Sequence, residues 1–348
     1  MQDAVALHRG LLTIDTHIDI PWPAGPDPFT DSPRDKTGRR VDFPKMRAGG
    51  LRAGCFAAYV PQGPRTPEGW GAATERALVM LDAINATGRT VGDLTARIVT
   101  SADQLEAAHR DGVIGVLPCV ENGHAMGEDL GNLARFQARG ARYMTLTHNG
   151  HNSLCDSSNP RADLGDGPEL HGGLSGLGRE AVQEMNRLGM LVDVSHTSRQ
   201  AALQAAMLSR TPVLATHSCV RALCDVARNA DDMLLDALRD SEGMINITAL
   251  CSFVKPGGKE ADTTVHDFCG HIEYVIRRCG LAHVGISSDF DGGGGITGWR
   301  DASESGNVTA ELVRRGYSAG EIAAMWGGNF LRLLRRAEDA AEVRQDAA

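Results

Sequence analysis

A chain of 348 residues, 42% of them hydrophobic, can bury a large core as one extended domain or two ordinary ones. Its 44 acidic side chains against 35 Lys and Arg leave a formal charge of −9, which excludes a global attraction to nucleic acid or anionic membrane but not a local cationic pocket. No stretch is apolar for long enough to span a bilayer, and the opening MQDAVALHRG lacks the basic flank and apolar run of a secretory signal, so the expectation is a soluble, cytoplasmic protein.

In chain order, Leu11 to Ile14 read as a buried first strand ending in the polar Asp15, Thr16 and His17. Residues 20–50 are rich in Pro, Gly and charge and read as a long excursion. Ala53 to Val60 form a second strand, followed by a helix from about Ala72 to Asn85. Val113 to Cys119 form a third and Tyr143 to Thr147 a fourth, with a helix over 128–139 between them. A helix from Leu177 precedes the fifth strand, Met190 to Val194. An Ala-rich helix that Ser198 can cap precedes the sixth, Pro212 to Thr216. Met244 to Thr248 and Val284 to Ser287 complete eight strands, after helices over 231–239 and 265–278. Helices near 308–315 and 319–335 end the chain.

Strands separated by helical connections imply parallel βαβ units, and eight of them fit one α/β domain over 1–348, a closed (β/α)₈ TIM barrel with loop insertions near 20–50, 152–175 and 292–305. An open doubly wound sheet has the same periodicity. The chain carries neither a G-x-G-x-x-G after an early strand nor a G-x-x-x-x-G-K-[ST], the phosphate-cradling signals of such sheets. The eight cysteines form no C-x-x-C pair and read as small buried hydrophobes.

The residues suited to chemistry fall at strand ends: His17 and Asp19 at the first, Glu121 at the third, His148 at the fourth, His196 at the fifth, His217 at the sixth and Asp289 at the eighth. In a barrel these ends surround one mouth. His17 and Asp19 are two apart, so in an extended segment both side chains point the same way. With Glu121, His196 and His217 they make a nitrogen- and oxygen-rich set suited to zinc or a similar divalent ion. Five ligands exceed one tetrahedral zinc with an open position, but serve two metals if Glu121 bridges them, His17 and Asp19 holding one ion and His196 and His217 the other. A bridging hydroxide is then the nucleophile, and Asp289 can orient it and carry its proton. Asp291, before the glycine run 292–295, reads as a turn residue.

The chain resembles the membrane (renal-type) dipeptidases, metallopeptidases of the amidohydrolase superfamily. The resemblance runs through Asp15-Thr16-His17-Ile18-Asp19, Glu121-Asn122-Gly123-His124, Tyr143-Met144-Thr145-Leu146-Thr147-His148, Asp193-Val194-Ser195-His196, Thr216-His217-Ser218 and Asp289-Phe290-Asp291-Gly292. It implies a (β/α)₈ fold, two zinc ions on the same five ligands, and Asp289 as acid/base. It also implies a role for His148 in stabilising the carbonyl oxygen and for Arg228 in holding a dipeptide's C-terminal carboxylate, for which a planar guanidinium is suited. The segment 247–253 lacks the tyrosine associated with mammalian members, so side-chain preference need not carry over.

These readings together predict a zinc-dependent dipeptidase acting on small dipeptides, L,D pairs included, and expected to be a homodimer without nucleic-acid or membrane partners. The rivals are a metal-dependent hydrolase of another small amide, lactam or N-acyl amino acid, and a non-enzymatic barrel that only binds.

Overall fold

The computed structural model describes residues 3–20, 25, 27–34 and 39–345. Its strands are β1 (Ile14–Asp19), β2 (Ala53–Tyr59), β3 (Thr90–Val91), β4 (Leu94–Ile98), β5 (Ile114–Glu121), β6 (Tyr143–Thr145), β7 (Leu191–Asp193), β8 (Leu214–Ser218), β9 (Met244–Thr248) and β10 (Val284–Ser287). Eight of them pair in parallel in the order β1-β2-β5-β6-β7-β8-β9-β10. The ring is drawn shut just beyond β10: Asp289 N donates to His17 O (3.2 Å), Asp19 N donates to Phe290 O (3.0 Å), and Ile18 and Phe290 form a parallel bridge. The result is a nearly closed (β/α)₈ barrel.

Strand alternation sorts the side chains. Phe56, Val120, Val192, Ile245, Ile247 and Ile286 face outward into the large core under the helices. Ile14, Leu117, Leu191, Leu214 and Met244 pack in a separate inner core, closed by Phe330, Leu331 and Leu334 of the helix Asn329–Gln345. Helix starts follow their sequence signals. Thr66 caps Pro67–Asn85 with proline in the first turn, and Ser198 Oγ accepts from Ala201 N (3.2 Å) to cap Arg199–Leu208, as expected. Thr264 and Asp267 form a reciprocal capping box on Val265–Cys279. Each such cap contributes about 1 kcal/mol.

Several elements differ from the sequence reading. The first strand runs through His17 to Asp19 instead of ending before them, and β5 likewise contains Glu121. The hairpin β3–β4 and the helix Ala102–Arg110 were not expected between the second and third barrel strands. β4 lies off the ring, adding in parallel to the first residues of β5. The 20–50 excursion contains a helix, Phe43–Gly49, that buries Phe43 and Met46; Asp42 caps its start and Gly50, at φ 72°, ends it. Of that excursion, residues 21–24, 26 and 35–38 lie outside the described residues. All eight cysteines are free, and all but Cys251 are buried. Among the described residues no helix is long and apolar enough to cross a membrane.

Candidate metal centre

Two β-bulges aim the site. The β1–β2 register shifts between Asp15 and Ile18, and the β8–β9 register shifts between Ala215 and Ser218, so the irregularities fall on His17 and His217. A bulge gives one strand an extra residue and re-aims its side chains. The shift lies before Ile18: from His17 to Asp19 alternation holds, Ile18 packing into the outer core while His17 and Asp19 converge on one face as expected. His17 Nε2 lies 3.7 Å from Asp19 Oδ1 and 3.5 Å from Glu121 Oε2. Glu121 ends β5, and its Oε1 faces His196 Nε2 at 3.2 Å, His217 Nε2 at 3.5 Å and His148 Nε2 at 3.8 Å. His196 and Asp289 sit just past their strands in left-handed backbone, φ 66° and 59°. Such conformations cost about 1–3 kcal/mol each and persist where surrounding contacts impose them.

The donor set fits two cations. His17 Nε2, Asp19 Oδ1 and Glu121 Oε2 are buried and have no hydrogen-bond partner, yet all three converge. A buried, unpaired polar atom costs about 1–3 kcal/mol, so three in one spot call for a ligand that satisfies them together. On the other side of Glu121, His196 Nε2 and His217 Nε2 face each other at 2.9 Å. Potential ligand atoms group as His17, Glu121 and His217, as Glu121, His148 and His196, and as His17, Asp19 and Asp289. Glu121 belongs to two of the three groups, as a bridging carboxylate would.

Electrostatics points the same way. Burial opposes charge on His17, but Glu121, Asp19 and Asp289 outweigh it and push its pKa up to about 10. Burial, then Glu121, hold Asp19 well above the ordinary carboxylate range. Burial works against the Glu121 carboxylate, but His17 and His148 draw it well below its usual value. Burial keeps His196 and His217 neutral, their pKa values well below 6.5, which is the form that binds a metal. Without cations, protons on His17 and Asp19 take over the neutralising role.

His148 lies at the opening, its ring 4.0 Å from that of His196 and edge-on to Tyr59 at 4.9 Å, and burial lowers its pKa. Asp289 is buried, and its pKa is pushed up to about 7 by burial, with Glu121 adding to the rise against His17. Arg228 is buried as well. Its Nη2 donates to His217 O (3.0 Å) and its guanidinium stacks on Phe253 at 5.2 Å, while its Nε has no partner. Asp291, read as a turn residue, instead accepts from Arg40 N (2.6 Å) and so ties the 39–50 segment to the mouth.

All eight residues singled out from the sequence thus meet at one mouth. Sequence reasoning passed over others. Tyr143 and Thr216 hydrogen-bond the far nitrogens of His17 and His217. Gly292 is required because a Cβ there would collide with the Asp19 and Asp289 carboxylates. Asn122, at φ 84°, fastens the end of β5 to Val60 O through its Nδ2 (3.0 Å). The inward register of Tyr143 and Thr216 was readable from strand alternation; what they bond to was not.

A barrel of this kind, with four imidazoles and three carboxylates gathered at its C-terminal mouth, is a metal-dependent hydrolase of the amidohydrolase type. The chain belongs to the membrane dipeptidase family, peptidase family M19, whose profile matches residues 1–348, and it is a metal-dependent dipeptidase. It is 34% identical over 323 residues to dipeptidase aclJ of Aspergillus oryzae, covering 91% of this chain and 74% of that protein. Among solved structures it is similar to the probable dipeptidase PvdM from Pseudomonas aeruginosa, with 30% identity, a TM-score of 0.91 and 98% of each chain covered. It is also similar to a metallo peptidase from Rhodobacter sphaeroides liganded with a phosphinate mimic of the dipeptide L-Ala-D-Ala, with 25% identity, a TM-score of 0.78 and coverage of 93% of this chain and 99% of that one.

Proposed function

We propose that the enzyme hydrolyses small dipeptides with a free C-terminal carboxylate, including those with a D-residue at that position. The observation that carries this reading is Arg228: a buried guanidinium with an unpartnered Nε and no carboxylate paired to it among the described residues, beside the metal ligands. A buried charge of this kind calls for an anionic partner, and a carboxylate matches its fork. The L-Ala-D-Ala mimic bound by the Rhodobacter sphaeroides relative supports the stereochemical part.

In this reading His17 and Asp19 hold one ion, His196 and His217 the other, and Glu121 both. Bound there, two zinc ions supply Lewis acidity toward the scissile carbonyl and make hydroxide available near neutral pH. His148, neutral and at the opening, donates an N–H to the carbonyl oxygen as charge grows on it. Asp289, buried beside the metal ligands, accepts the proton of the attacking water and returns it to the departing amine. Arg228 fixes the far end of the substrate, so only peptides short enough to place a carboxylate there are cut. We also read the chain as one domain that works as a homodimer in the cytoplasm, cyclic dimers being the commonest assembly; light scattering on the eluting peak tests the dimer.

The decisive experiment is a panel of L,L and L,D dipeptides and their C-terminal amides, assayed alongside metal quantification. Two ions per chain with turnover of the free acids are expected. Two ions with no dipeptide turned over overturn the substrate assignment, and fewer than two overturn the dinuclear site. Arg228→Met should lower kcat/KM for the acids by roughly 10–100-fold, the scale of a charged hydrogen-bonded contact, and barely affect the amides. Equal losses for both would remove Arg228 from carboxylate recognition.

A further inference from the structure

The metal-facing nitrogens of His17 and His217 are Nε2 atoms, so each imidazole has a second nitrogen turned into the barrel. What those Nδ1 atoms touch determines whether Nε2 presents a lone pair or a proton. His17 Nδ1 is 3.0 Å from the Tyr143 hydroxyl. That hydroxyl has a single proton, and it donates it to Thr16 O at 2.9 Å, a carbonyl that can only accept. Toward His17 the phenol oxygen must therefore accept. Nδ1 keeps its hydrogen, so the proton that a cation displaces is the one on Nε2, and the lone pair freed there faces Asp19 and Glu121.

His217 is fixed by a different device with the same outcome. Its Nδ1 is 2.8 Å from Thr216 Oγ1, which donates to Asp193 Oδ2 at 2.7 Å. Asp193 is fully buried and receives three further donors: Thr145 Oγ1 at 2.5 Å on the same oxygen, and Ser195 N at 2.9 Å and Thr216 N at 3.0 Å on the other. A carboxylate so surrounded takes the Thr216 proton, and the threonine oxygen accepts from His217 Nδ1. Tyr143, Asp193 and Thr216 stand on the adjacent strands β6, β7 and β8.

We propose that Tyr143, and separately Thr216 with Asp193, are positioning residues that fix the Nδ1–H tautomers of His17 and His217, and that each supports the cation bound by its own histidine. The proposal rests on the two-metal reading above and extends it to the groups that hold two of its ligands. Groups that orient a ligating histidine in this way are worth roughly 10–100-fold in metal affinity.

The test is chelator competition on the full-length protein loaded with Zn²⁺ or Co²⁺, resolving the two equivalents, with circular dichroism to verify the fold. Tyr143→Phe should weaken one equivalent by roughly 10–100-fold and leave the other within a few-fold. Thr216→Val should weaken the opposite equivalent, and Thr216→Ser, which keeps the hydroxyl, should restore it. A general loosening of the barrel would weaken both equivalents together, and that outcome, like unchanged affinity in both variants, overturns the proposal. If either variant is not recovered folded, neutron diffraction on the wild-type holoenzyme decides: hydrogens on Nδ1 of both histidines support the assignment, and a bare Nδ1 on either one sinks it. A wild-type protein that binds fewer than two ions would instead defeat the underlying two-metal reading.

Discussion

At the N-terminal end of the barrel the inward side chains are Ile14, Leu117, Leu191, Leu214 and Met244, sealed by Phe330 and Leu334 of the last helix. At the C-terminal end the same strands carry His17, Glu121 and His217, with buried polar atoms left unpaired. Of the five non-glycine residues in left-handed backbone among those described, four (Asn122, His196, Asp289 and Asp291) stand at the mouth, and only Glu242 lies at a turn leading into a strand. One end thus concentrates favourable packing, while the other concentrates strain and unsatisfied polarity that only a ligand relieves. The difference teaches that stability and activity in this fold are separable by height along a strand.

Four measurements press on that separation. The largest effect should come from Asp289→Asn. Asparagine tolerates the left-handed backbone at 289, so the fold and much of the metal should remain while kcat falls by about 10²–10⁴-fold, the span of a lost acid/base group. Turnover near the wild-type rate would take Asp289 off the proton path. At the opposite end, Leu334→Ala should cost about 2–5 kcal/mol in urea unfolding with two ions per chain retained. A matching loss of metal would show that the two ends are not separable.

Gly292→Ala probes the mouth by volume alone. The new methyl would displace the carboxylates of Asp19 and Asp289, so metal affinity and rate should both fall about tenfold or more, with unfolding free energy changed by less than about 1 kcal/mol. A variant with wild-type metal affinity would mean those carboxylates have room to move. The mildest probe is pH. Below about pH 10 the metal-free chain holds a proton on His17 that the metal must displace, so affinity should rise with pH between 6.5 and 9, by about tenfold per unit for that one proton. Calorimetry in buffers of different ionisation enthalpy counts the protons released. Affinity that is flat across this range would contradict the cluster of negative charge around His17.

The barrel and its ligands were legible in the sequence for one physical reason. Strand alternation and helix caps are local, and a barrel turns locally recognised strand ends into neighbours. Ser198 could be read as a cap and Glu121 as a strand-end carboxylate without knowledge of the rest. The bulges at His17 and His217 were not legible, because a register shift depends on which residues of the partner strand it meets. Nor was the pairing of Thr216 with Asp193, which joins residues 23 apart on adjacent strands. Helix Phe43–Gly49 was hidden by its composition: Pro44 and the flanking charges read as loop, although Pro in the first turn and Gly50 after the last are ordinary helix boundaries.

The seam between the first strand and the last carries a consequence for biogenesis. Asp15 Oδ1 accepts from Ser288 N across 273 residues. At a synthesis rate of about 5–20 residues per second, β1 waits roughly 14–55 s for its closing partner. Throughout that interval His17 and Asp19 are already made while Asp289 is not, and one edge of β1 is open to pairing with other chains. A metal captured on the ribosome before His217 is made meets an incomplete set of ligands, and even a complete set lacks its acid/base, Asp289, until translation reaches the final strand.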